Sequence, residues 1–213
     1  SSDHYGRLVT RTGAVWTPQG HSLDSVDDKL NFGDESTLAW MNGKGNTTTF
    51  SWTIIAYMKL NNPGGSVASI LDTGGFGTST DTGMTFSIRP TTRQFEVGIF
   101  NGVNAAWVIS ANPATVYPNN TLWHQCALTY DQALASANAK FYLDRVPIET
   151  ADKTANAPAN TNSSYIPTIG RYNNGSGAFD GIMGELFVYQ QRVLSADEIS
   201  QHYLAAKRRL PWL

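Results

Sequence analysis

Short segments in which apolar and polar residues alternate recur along the chain, and FSWTIIAYMKL (residues 50–60) shows the pattern most clearly. One side of this segment is apolar: Phe50, Trp52, Ile54, Ala56, Met58 and Leu60. The opposite side carries Ser51, Thr53, Tyr57 and Lys59, with Ile55 as the exception. Because successive side chains of a strand point to opposite faces, this period of two predicts a half-buried β-strand.

Similar strand-like segments follow at short intervals: SVASILDT, GMTFSIR, QFEVGIF, AAWVIS, TLWHQCALTYD, AKFYLDRVPIE, IPTIGRY and GELFVYQ. The stretches between them, such as NNPGG, DTGGFGTSTDTG and DKTANAPANTNSS, are rich in turn-forming residues. Many short strands at this spacing are typical of two packed antiparallel sheets. No linker or repeat divides the 213 residues, so we predict a single domain.

One helix is predicted near the C-terminus, in SADEISQHYLAAKRRL. Ser195 and Glu198 have the spacing of a capping box. Acidic residues in the first turn and basic residues in the last complement the helix dipole. His202 shares one helix face with Ile199 and Ala206, so we expect it to be a partly buried hydrogen-bonding residue rather than a metal ligand.

Charge and cysteine content restrict the function classes. Charged residues make up 15 % of the chain and the net charge is −2, which gives no electrostatic footprint for nucleic acid or anionic lipid. No apolar run reaches the roughly 20 residues that a membrane helix needs.

Cys126 is the single cysteine, so an internal disulfide is excluded, and its position in a predicted strand indicates a core residue. The start, SSDHYGRLV, lacks signal-peptide features, which leaves a removed signal or synthesis in a cytoplasm as alternatives.

Several stretches together resemble the laminin-G-like members of the concanavalin A-type lectin/glucanase jelly rolls. They are LDSVDDKLNFGD, FSWTIIAYMKL, LWHQCALTYD with KFYLDRVPI, and IGRYNNGSGAFDGIMGELFVYQQRVLSADEI. The resemblance implies an all-β fold: a two-sheet antiparallel β-sandwich of the jelly-roll type with one short C-terminal helix. It covers a core of about residues 22–204, with extensions at 1–21 and 205–213.

Two positions depart from the family pattern. Gly184 precedes Glu185 where relatives usually carry Asp-Glu, which weakens any inferred metal-binding or other side-chain role on that strand. Arg145 follows Asp144 where the hairpin usually has Gly, and since Arg is disfavoured at positive φ we expect a different turn there.

The acids do not show the spacing of a glycosidase. Retaining hydrolysis needs two carboxyl groups about 5–5.5 Å apart, and inversion about 6.5–9.5 Å, which on one strand requires Glu-x-Asp or a close variant. We assign Asp180 to a turn, Glu185 to a strand without an acidic partner, and Asp197 and Glu198 to the helix cap. Glu149 and Asp152 fall where a strand passes into a loop. No nucleophile elbow or zinc motif is present either, so the sequence predicts that the protein is not an enzyme.

Binding residues are predicted on loops, where aromatic rings can stack on sugars and amides can fix their orientation. Trp16, Trp107, Tyr117 and Tyr172 lie in or beside such loops, whereas Trp52 and Trp123 are predicted to be core residues. The ligand-binding candidates are Trp107, Tyr117, Arg171, Tyr172 and Asn173. No cofactor is required by the pattern. A calcium ion held by Asp72 and Asp81 is one interpretation, and turn capping by the two side chains is the other.

Three functional hypotheses follow. The first is a non-catalytic recognition or structural domain that presents loops to a protein or glycan, for instance a bacteriophage virion surface component (decoration, fibre or appendage) made in the host cytoplasm. Its partners would be other subunits of the assembly, including copies of itself, or surface glycans, with Trp212 as an apolar docking anchor. The second is a secreted, extracellular carbohydrate-binding module or lectin. The third is a glycoside hydrolase with displaced acids.

Overall fold

The computed structural model describes residues 9–42, 50–62, 65, 67–74, 82–101, 105–110, 116–134, 138–148, 150–152 and 165–213. Within these ranges the strands are β1 (Val9–Thr12), β2 (Val15–Thr17), β3 (Gly20–Asp24), β4 (Lys29–Phe32), β5 (Ser51–Leu60), β6 (Ala68–Asp72), β7 (Thr82–Ile88), β8 (Phe95–Asn101), β9 (Ala105–Ser110), β10 (His124–Asp131), β11 (Ala139–Leu143), β12 (Val146–Ile148), β13 (Thr150–Asp152), β14 (Thr168–Ile169) and β15 (Asp180–Gln190). The helices are a short 3₁₀ turn (Ala39–Asn42) and α1 (Ala196–Arg209).

The strands form two sheets. The order in the eight-stranded sheet is β1-β4-β14-β6-β7-β8-β9-β13, and in the seven-stranded sheet β12-β11-β10-β5-β15-β3-β2. All the pairings between these strands are antiparallel. The predicted all-β, two-sheet antiparallel sandwich with a C-terminal helix is therefore confirmed. Neither helix is long and apolar enough to cross a membrane.

The N-terminal segment takes part in both sheets. β1 pairs with β4 in the larger sheet, and β2 pairs with β3 in the smaller one. Sequence analysis placed residues 1–21 outside the core as an extension. The described part of that segment, from Val9 onward, is instead built into the sandwich.

Strand β5 lies in the middle of the smaller sheet and has both faces covered. Its apolar positions 52, 54, 56, 58 and 60 belong to the core between the sheets, as the alternation predicted. Ile55 and Tyr57 lie on the opposite face and pack in a second cluster together with Ile199 and Ala206 of α1. The apolar exception at Ile55 is therefore explained by the helix, which covers the outer face of this strand.

The last strand, β15, contains a bulge. Its register against β5 shifts between Met183 and Leu186, so Gly184 and Glu185 lie at the irregularity. An extra residue reverses the faces on which the following side chains lie. Met183 and Leu186 accordingly both pack toward the core between the sheets, whereas Phe187 packs in the outer cluster with Ile55 and Tyr57.

Asp180 begins β15 rather than belonging to a turn, which corrects the sequence-based assignment. It pairs with Asp24 of β3, and its side chain accepts a hydrogen bond from Asn61 Nδ2 at 2.9 Å. Gly181 continues the strand with φ of 153°, where a Cβ would lie 2.0 Å from the Lys59 carbonyl oxygen. The glycine here allows a close strand approach and does not interrupt the strand.

The hairpin between β11 and β12 also differs from expectation. Leu143 pairs with Val146, so Asp144 and Arg145 form a two-residue loop. Both have positive φ, 46° and 71°, which is the pattern of the type I′ turn that glycine usually occupies. The turn is thus retained despite the arginine. Its guanidinium lies over the Tyr203 ring, 5.9 Å from the ring centroid, a contact that helps to offset the backbone cost.

The predicted capping box of α1 is present. Ser195 Oγ accepts from the Glu198 backbone N–H at 3.2 Å, and the Glu198 carboxylate accepts from the Ser195 N–H at 2.8 Å. The hydrogen bond that the Ser195 N–H donates to the carboxylate is the main cause that lowers the pKa of Glu198, and the hydrogen bond from Arg192 acts in the same direction. The helix that covers the outer sheet face is therefore fixed at its first turn by its own sequence.

Replacing Ser195 with alanine is expected to lower the unfolding free energy by about 1 kcal/mol, because one N-terminal N–H of α1 loses its acceptor. Urea-induced unfolding followed by circular dichroism measures the change. Ser195→Asn keeps a capping oxygen and should stay within a few tenths of a kcal/mol of the wild type. Equal destabilisation by both variants would contradict a capping role.

Candidate functional site

Two of the predicted sugar-stacking residues are buried. Tyr117 is 0 % exposed, and its hydroxyl accepts a hydrogen bond of 3.3 Å from the Leu60 backbone N–H. Tyr172 is 1 % exposed, and its ring lies against Gly177, where a Cβ would come within 2.3 Å of it. Neither ring offers a face to a ligand, so the prediction for these two tyrosines is wrong. A loop position in the sequence does not reveal that the side chain points inward.

The neighbours of Tyr172 hold their own loop together. Arg171 Nε donates to the Gly175 carbonyl oxygen at 2.7 Å. Asn173 donates to Asp72 Oδ2 from both its backbone N–H, at 2.8 Å, and its side-chain Nδ2, at 3.0 Å. The structure therefore brings Asp72 and Asn173 together, but as an anchor between β6 and the loop that follows β14.

This anchor bears on the calcium hypothesis. Asp72 is 0 % exposed, and its other oxygen lies 3.4 Å from the Gly74 N–H. Its contacts are those of the turn-capping alternative. Asp81 lies outside the described residues, as does the side chain of Trp107, whose backbone is part of β9 and pairs with Gly98. The calcium pair and the role of Trp107 stay predictions.

A different carboxylate group could share a cation. Oxygens of Asp24, Asp27 and Asp28 lie within 4.8 Å of one another, the first two exposed and the third buried. Burial raises the pKa of Asp28 above its usual value, and the Asp24 N–H, which donates to Asp28 at 2.8 Å, acts in the opposite direction. Sequence analysis used LDSVDD only as a fold motif, although its three closely spaced aspartates were visible there.

Trp212, the predicted anchor for a neighbouring subunit, contacts its own domain. Its ring lies against Trp123, with centroids 6.0 Å apart and planes inclined by 48°. It belongs to the cluster on the outer face of the smaller sheet. The ring is thus partly covered by its own domain, and its role as a docking anchor for another subunit stays a prediction. Its Nε1 is buried and has no hydrogen-bond partner among the described residues.

The ring pair Trp123–Trp212 forms part of a surface cleft of about 220 Å³, which we call the aromatic cleft. It is lined by Trp16, Pro18, Gln19, Gly20, His21, Tyr57, Trp123, Gly184, Glu185, Leu210 and Trp212. Trp16 is 62 % exposed and meets His21 edge-on, with centroids 5.0 Å apart. The aromatic cleft thus combines an exposed indole, two further indoles and a few polar groups.

Two glycines make the aromatic cleft sterically feasible. At Gly20 a Cβ would lie 2.2 Å from the Met183 carbonyl oxygen, so only glycine lets the β2–β3 hairpin approach β15 this closely. At Gly184, in the β15 bulge, a Cβ would lie 3.1 Å from the Trp123 ring. The departure from the family's Asp-Glu pattern therefore gives room for an indole at the base of the cleft.

A second, larger cleft of about 440 Å³ lies between β15 and α1, and we call it the polar cleft. It is lined by Phe187, Tyr189, Arg192, Leu194, Glu198, Gln201, His202, Ala205 and Arg209. Arg192 pairs with Glu198 at 2.5 Å, and Tyr189 hydrogen-bonds to His202 Nε2. As expected from its helix face, His202 is a partly buried hydrogen-bonding residue.

Burial lowers the pKa of His202, Arg209 lowers it further, and Glu185 acts in the opposite direction. The unfolded chain therefore binds the proton more readily than the folded chain. We expect the stability contributed at this site to be lost as the pH falls below the ordinary histidine value of 6.5. We expect the melting temperature to fall less between pH 7.5 and pH 5 for His202→Gln than for the wild type, as measured by thermal unfolding. Equal losses in both proteins would contradict this assignment.

Comparisons with known proteins identify the family. A laminin G family model, described as concanavalin A-like lectin/glucanases superfamily, matches residues 28–200. The chain belongs to this superfamily. No curated protein sequence matches the lectin-like chain significantly.

Solved structures share the fold at low sequence identity. A Trypanosoma rangeli sialidase in complex with 2,3-difluoro-KDN has a TM-score of 0.65 and 15 % identity, over 97 % of this chain and 30 % of the sialidase. The binding domain of botulinum neurotoxin DC in complex with SialylT has a TM-score of 0.65 and 12 % identity, over 95 % and 47 % of the two chains. Botulinum neurotoxin type C, whose cell entry depends on interaction with two ganglioside molecules, has a TM-score of 0.63 and 12 % identity, with the same coverage of 95 % and 47 %. The lectin-like chain spans less than half the length of these proteins.

The sialidases correct one prediction. Sequence analysis predicted that the protein is not an enzyme, from the spacing of its acids. Proteins that share the fold over nearly all of this chain include sialidases. At 15 % identity the likeness shows the fold alone, and membership of this fold family gives no ground for excluding enzymatic activity.

Proposed function

We propose that this lectin-like domain binds glycans through the aromatic cleft. The observation that carries the proposal is Trp16, a large apolar side chain that is 62 % exposed at the rim of a cleft containing two more indoles. Tryptophan is enriched among the residues that dominate binding energy, so an exposed indole in a cleft is a candidate contact residue. Because Trp16 lines the cleft and is still largely exposed, much of its side chain is accessible to a ligand.

The polar groups of the aromatic cleft suit a sugar as the ligand. Pyranose rings have apolar C–H faces that pack on indoles, and their hydroxyl groups need donors and acceptors around the edge. Gln19 supplies both kinds of group, and the Glu185 carboxylate supplies an acceptor. The cleft therefore matches the amphipathic surface of a sugar better than that of a purely apolar ligand.

The comparisons support a glycan as the ligand class. The botulinum structures with this fold are described as a complex with SialylT and as dependent on two ganglioside molecules, both of which are glycan ligands of those proteins. The sialidase structures contain sialic acid analogues. These likenesses favour a sugar ligand for this chain without specifying which sugar.

A panel of immobilised neutral and sialylated glycans, followed by isothermal titration calorimetry of the hits, tests the proposal. For a shallow cleft of this size we expect a Kd of roughly 10 µM to 1 mM. Binding should be retained in Val26→Ala, which alters an exposed apolar residue that does not line the cleft. Failure of the folded protein to bind any glycan on the panel would overturn the proposal.

We further propose that the domain is a component of a virion surface, with other subunits of the particle or surface glycans as its partners. The alternative is a secreted, extracellular location. Support comes from Cys126, which is buried in the core, so the sandwich has a single, inaccessible thiol. Such a fold suits assembly in a reducing cytoplasm. Capsid or tail genes beside the coding gene, and recovery of the protein with purified particles, are the expected findings. Recovery as a free secreted protein would contradict the virion location.

A further inference from the structure

Two side-chain contacts connect residues of the aromatic cleft with residues of the polar cleft. Glu185 lines the first cleft and Arg209 the second, and the two form an ion pair with Nη2 and Oε2 2.6 Å apart. Beneath them, the rings of Tyr57 and Phe187 meet edge-on, with centroids 6.4 Å apart. Tyr57 lines the aromatic cleft and Phe187 the polar one. The clefts therefore lie next to each other on the protein surface.

Strand β15 contributes residues to both the aromatic cleft and the polar cleft. The bulge at Gly184 and Glu185 sets the outward face of the strand, so Glu185, Phe187 and Tyr189 follow one another at alternate positions. Four residues of a strand span about 13 Å. A ligand that follows this strand from Glu185 to Tyr189 would pass from the aromatic cleft into the polar cleft.

The Glu185–Arg209 ion pair, which connects the two clefts, can contact a ligand without breaking. The side chain of Arg209 is 56 % exposed and that of Glu185 is 35 % exposed, so both charged groups are accessible from the solvent. A guanidinium has five N–H donors, and a carboxylate has about four acceptor positions. Their mutual ion pair therefore leaves hydrogen-bonding capacity for hydroxyl groups that pass across it.

The charges of the polar cleft favour a neutral ligand. Its two arginines are each paired with a glutamate: Arg192 with Glu198, and Arg209 with Glu185. An anionic ligand would have to compete with these carboxylates for the guanidinium groups. A neutral, hydroxyl-rich ligand can instead donate to the carboxylates and accept from the arginines and from Gln201 while both ion pairs persist.

We propose that the two clefts form one elongated site for a neutral oligosaccharide. One end stacks on Trp16, the chain crosses the Glu185–Arg209 pair, and the following sugar units hydrogen-bond to Gln201 and Arg192 in the polar cleft. This assignment rests on the proposed glycan-binding function, and it adds the ligand's length and charge class.

Calorimetric titrations with neutral oligosaccharides of increasing length test this proposal. The probes are cello-, manno- and chito-oligosaccharides of two to six units. We expect the affinity for the preferred series to rise at least tenfold between the disaccharide and the tetrasaccharide. Gln201→Ala should lower the affinity for the tetrasaccharide about fivefold to tenfold and leave that for the disaccharide unchanged. Trp16→Ala should weaken both lengths.

Arg208→Ala is the matched control, because Arg208 is exposed on the same helix but lines neither cleft. It should bind like the wild type at every length. Glycan binding without length dependence, or an equal effect of Gln201→Ala at both lengths, would overturn the elongated site while the glycan-binding function stands. Tighter binding of sialyllactose than of lactose would overturn the neutral charge class. Absence of binding to every neutral oligosaccharide, together with binding of a sialylated glycan, would overturn the neutral elongated site while the glycan-binding function stands. Absence of binding to every neutral and sialylated glycan would overturn both.

Discussion

Replacing Trp16 with alanine is expected to weaken glycan binding about thirtyfold, because truncation of a tryptophan that dominates a binding site costs about 2 kcal/mol or more. The ring of Trp16 is 62 % exposed, so the folded domain has few core contacts to lose with it. We therefore expect the unfolding free energy of the variant to stay within about 0.5 kcal/mol of the wild type. Calorimetric binding and urea unfolding of the same preparation measure the two quantities.

Trp16→Phe provides the graded comparison, since it keeps an aromatic face of smaller area. Its affinity should lie between that of the wild type and that of the alanine variant. A large loss of stability in Trp16→Ala would show that the indole is a structural residue of the β2–β3 hairpin. Unchanged affinity in a stable variant would remove Trp16 from the site.

The largest loss of stability is expected for Asp72→Ala, at about 3 kcal/mol. Its carboxylate accepts from the backbone and side chain of Asn173, and these contacts tie the loop after β14 to the buried end of β6. A buried donor that loses its acceptor costs about 1–3 kcal/mol, and more when the acceptor is charged. Because at least two donors are affected, the expected change is larger than for the helix cap. Urea-induced unfolding followed by tryptophan fluorescence measures it.

Glu35→Ala serves as the control for removal of a carboxylate, because Glu35 is exposed and should change the unfolding free energy by less than about 0.5 kcal/mol. The same experiment examines the calcium hypothesis. If calcium raised the melting temperature of the wild type and not of Asp72→Ala, Asp72 would be a cation ligand rather than a loop anchor. A calcium response that both proteins share would point to other carboxylates, such as the aspartate group at 24, 27 and 28.

The sandwich was predictable because its signals are local. Alternation along β5 depends on the two-residue period of a strand, and the capping box depends on residues three positions apart, Ser195 and Glu198. Both predictions are confirmed by the register of β5 in its sheet and by the two capping hydrogen bonds. Even the exception at Ile55 was visible, although its reason, the cover provided by α1, was not.

Predictions failed where close packing overrides residue preference. Asp180 looked like a turn residue because glycines follow it, yet Gly181 lies within β15, where the Lys59 carbonyl oxygen leaves no room for a Cβ. Arg145 looked incompatible with positive φ, yet the pairing of its two strands holds it there and Tyr203 contacts its guanidinium. Local preferences are worth about 1 kcal/mol per residue, which the pairing of two strands can exceed.

The candidate site was missed for a different reason. Loop position was used as the criterion for surface aromatics, and it selected Tyr117 and Tyr172, which are buried. Trp123 is buried in the outer cluster, in agreement with its assignment to the core, but it also lines the aromatic cleft, where Gly184 leaves space for its ring. The absence of a side chain at Gly184 therefore determines how Trp123, more than sixty residues away in the sequence, can be placed.

The sequence by itself determined most of the strands, the C-terminal helix with its cap and the family, since each depends on the order of neighbouring residues, but it did not reveal β1 and β2. Only the tertiary structure decided which aromatic rings face the solvent and which charges meet. The aromatic cleft joins Trp16, Trp123 and Trp212 from three distant segments, and the pair of Glu185 with Arg209 depends on a bulge that shifts the register of β15. Such contacts follow from the packing of α1 and the β2–β3 hairpin on the sheet, and no short pattern of residues encodes that packing.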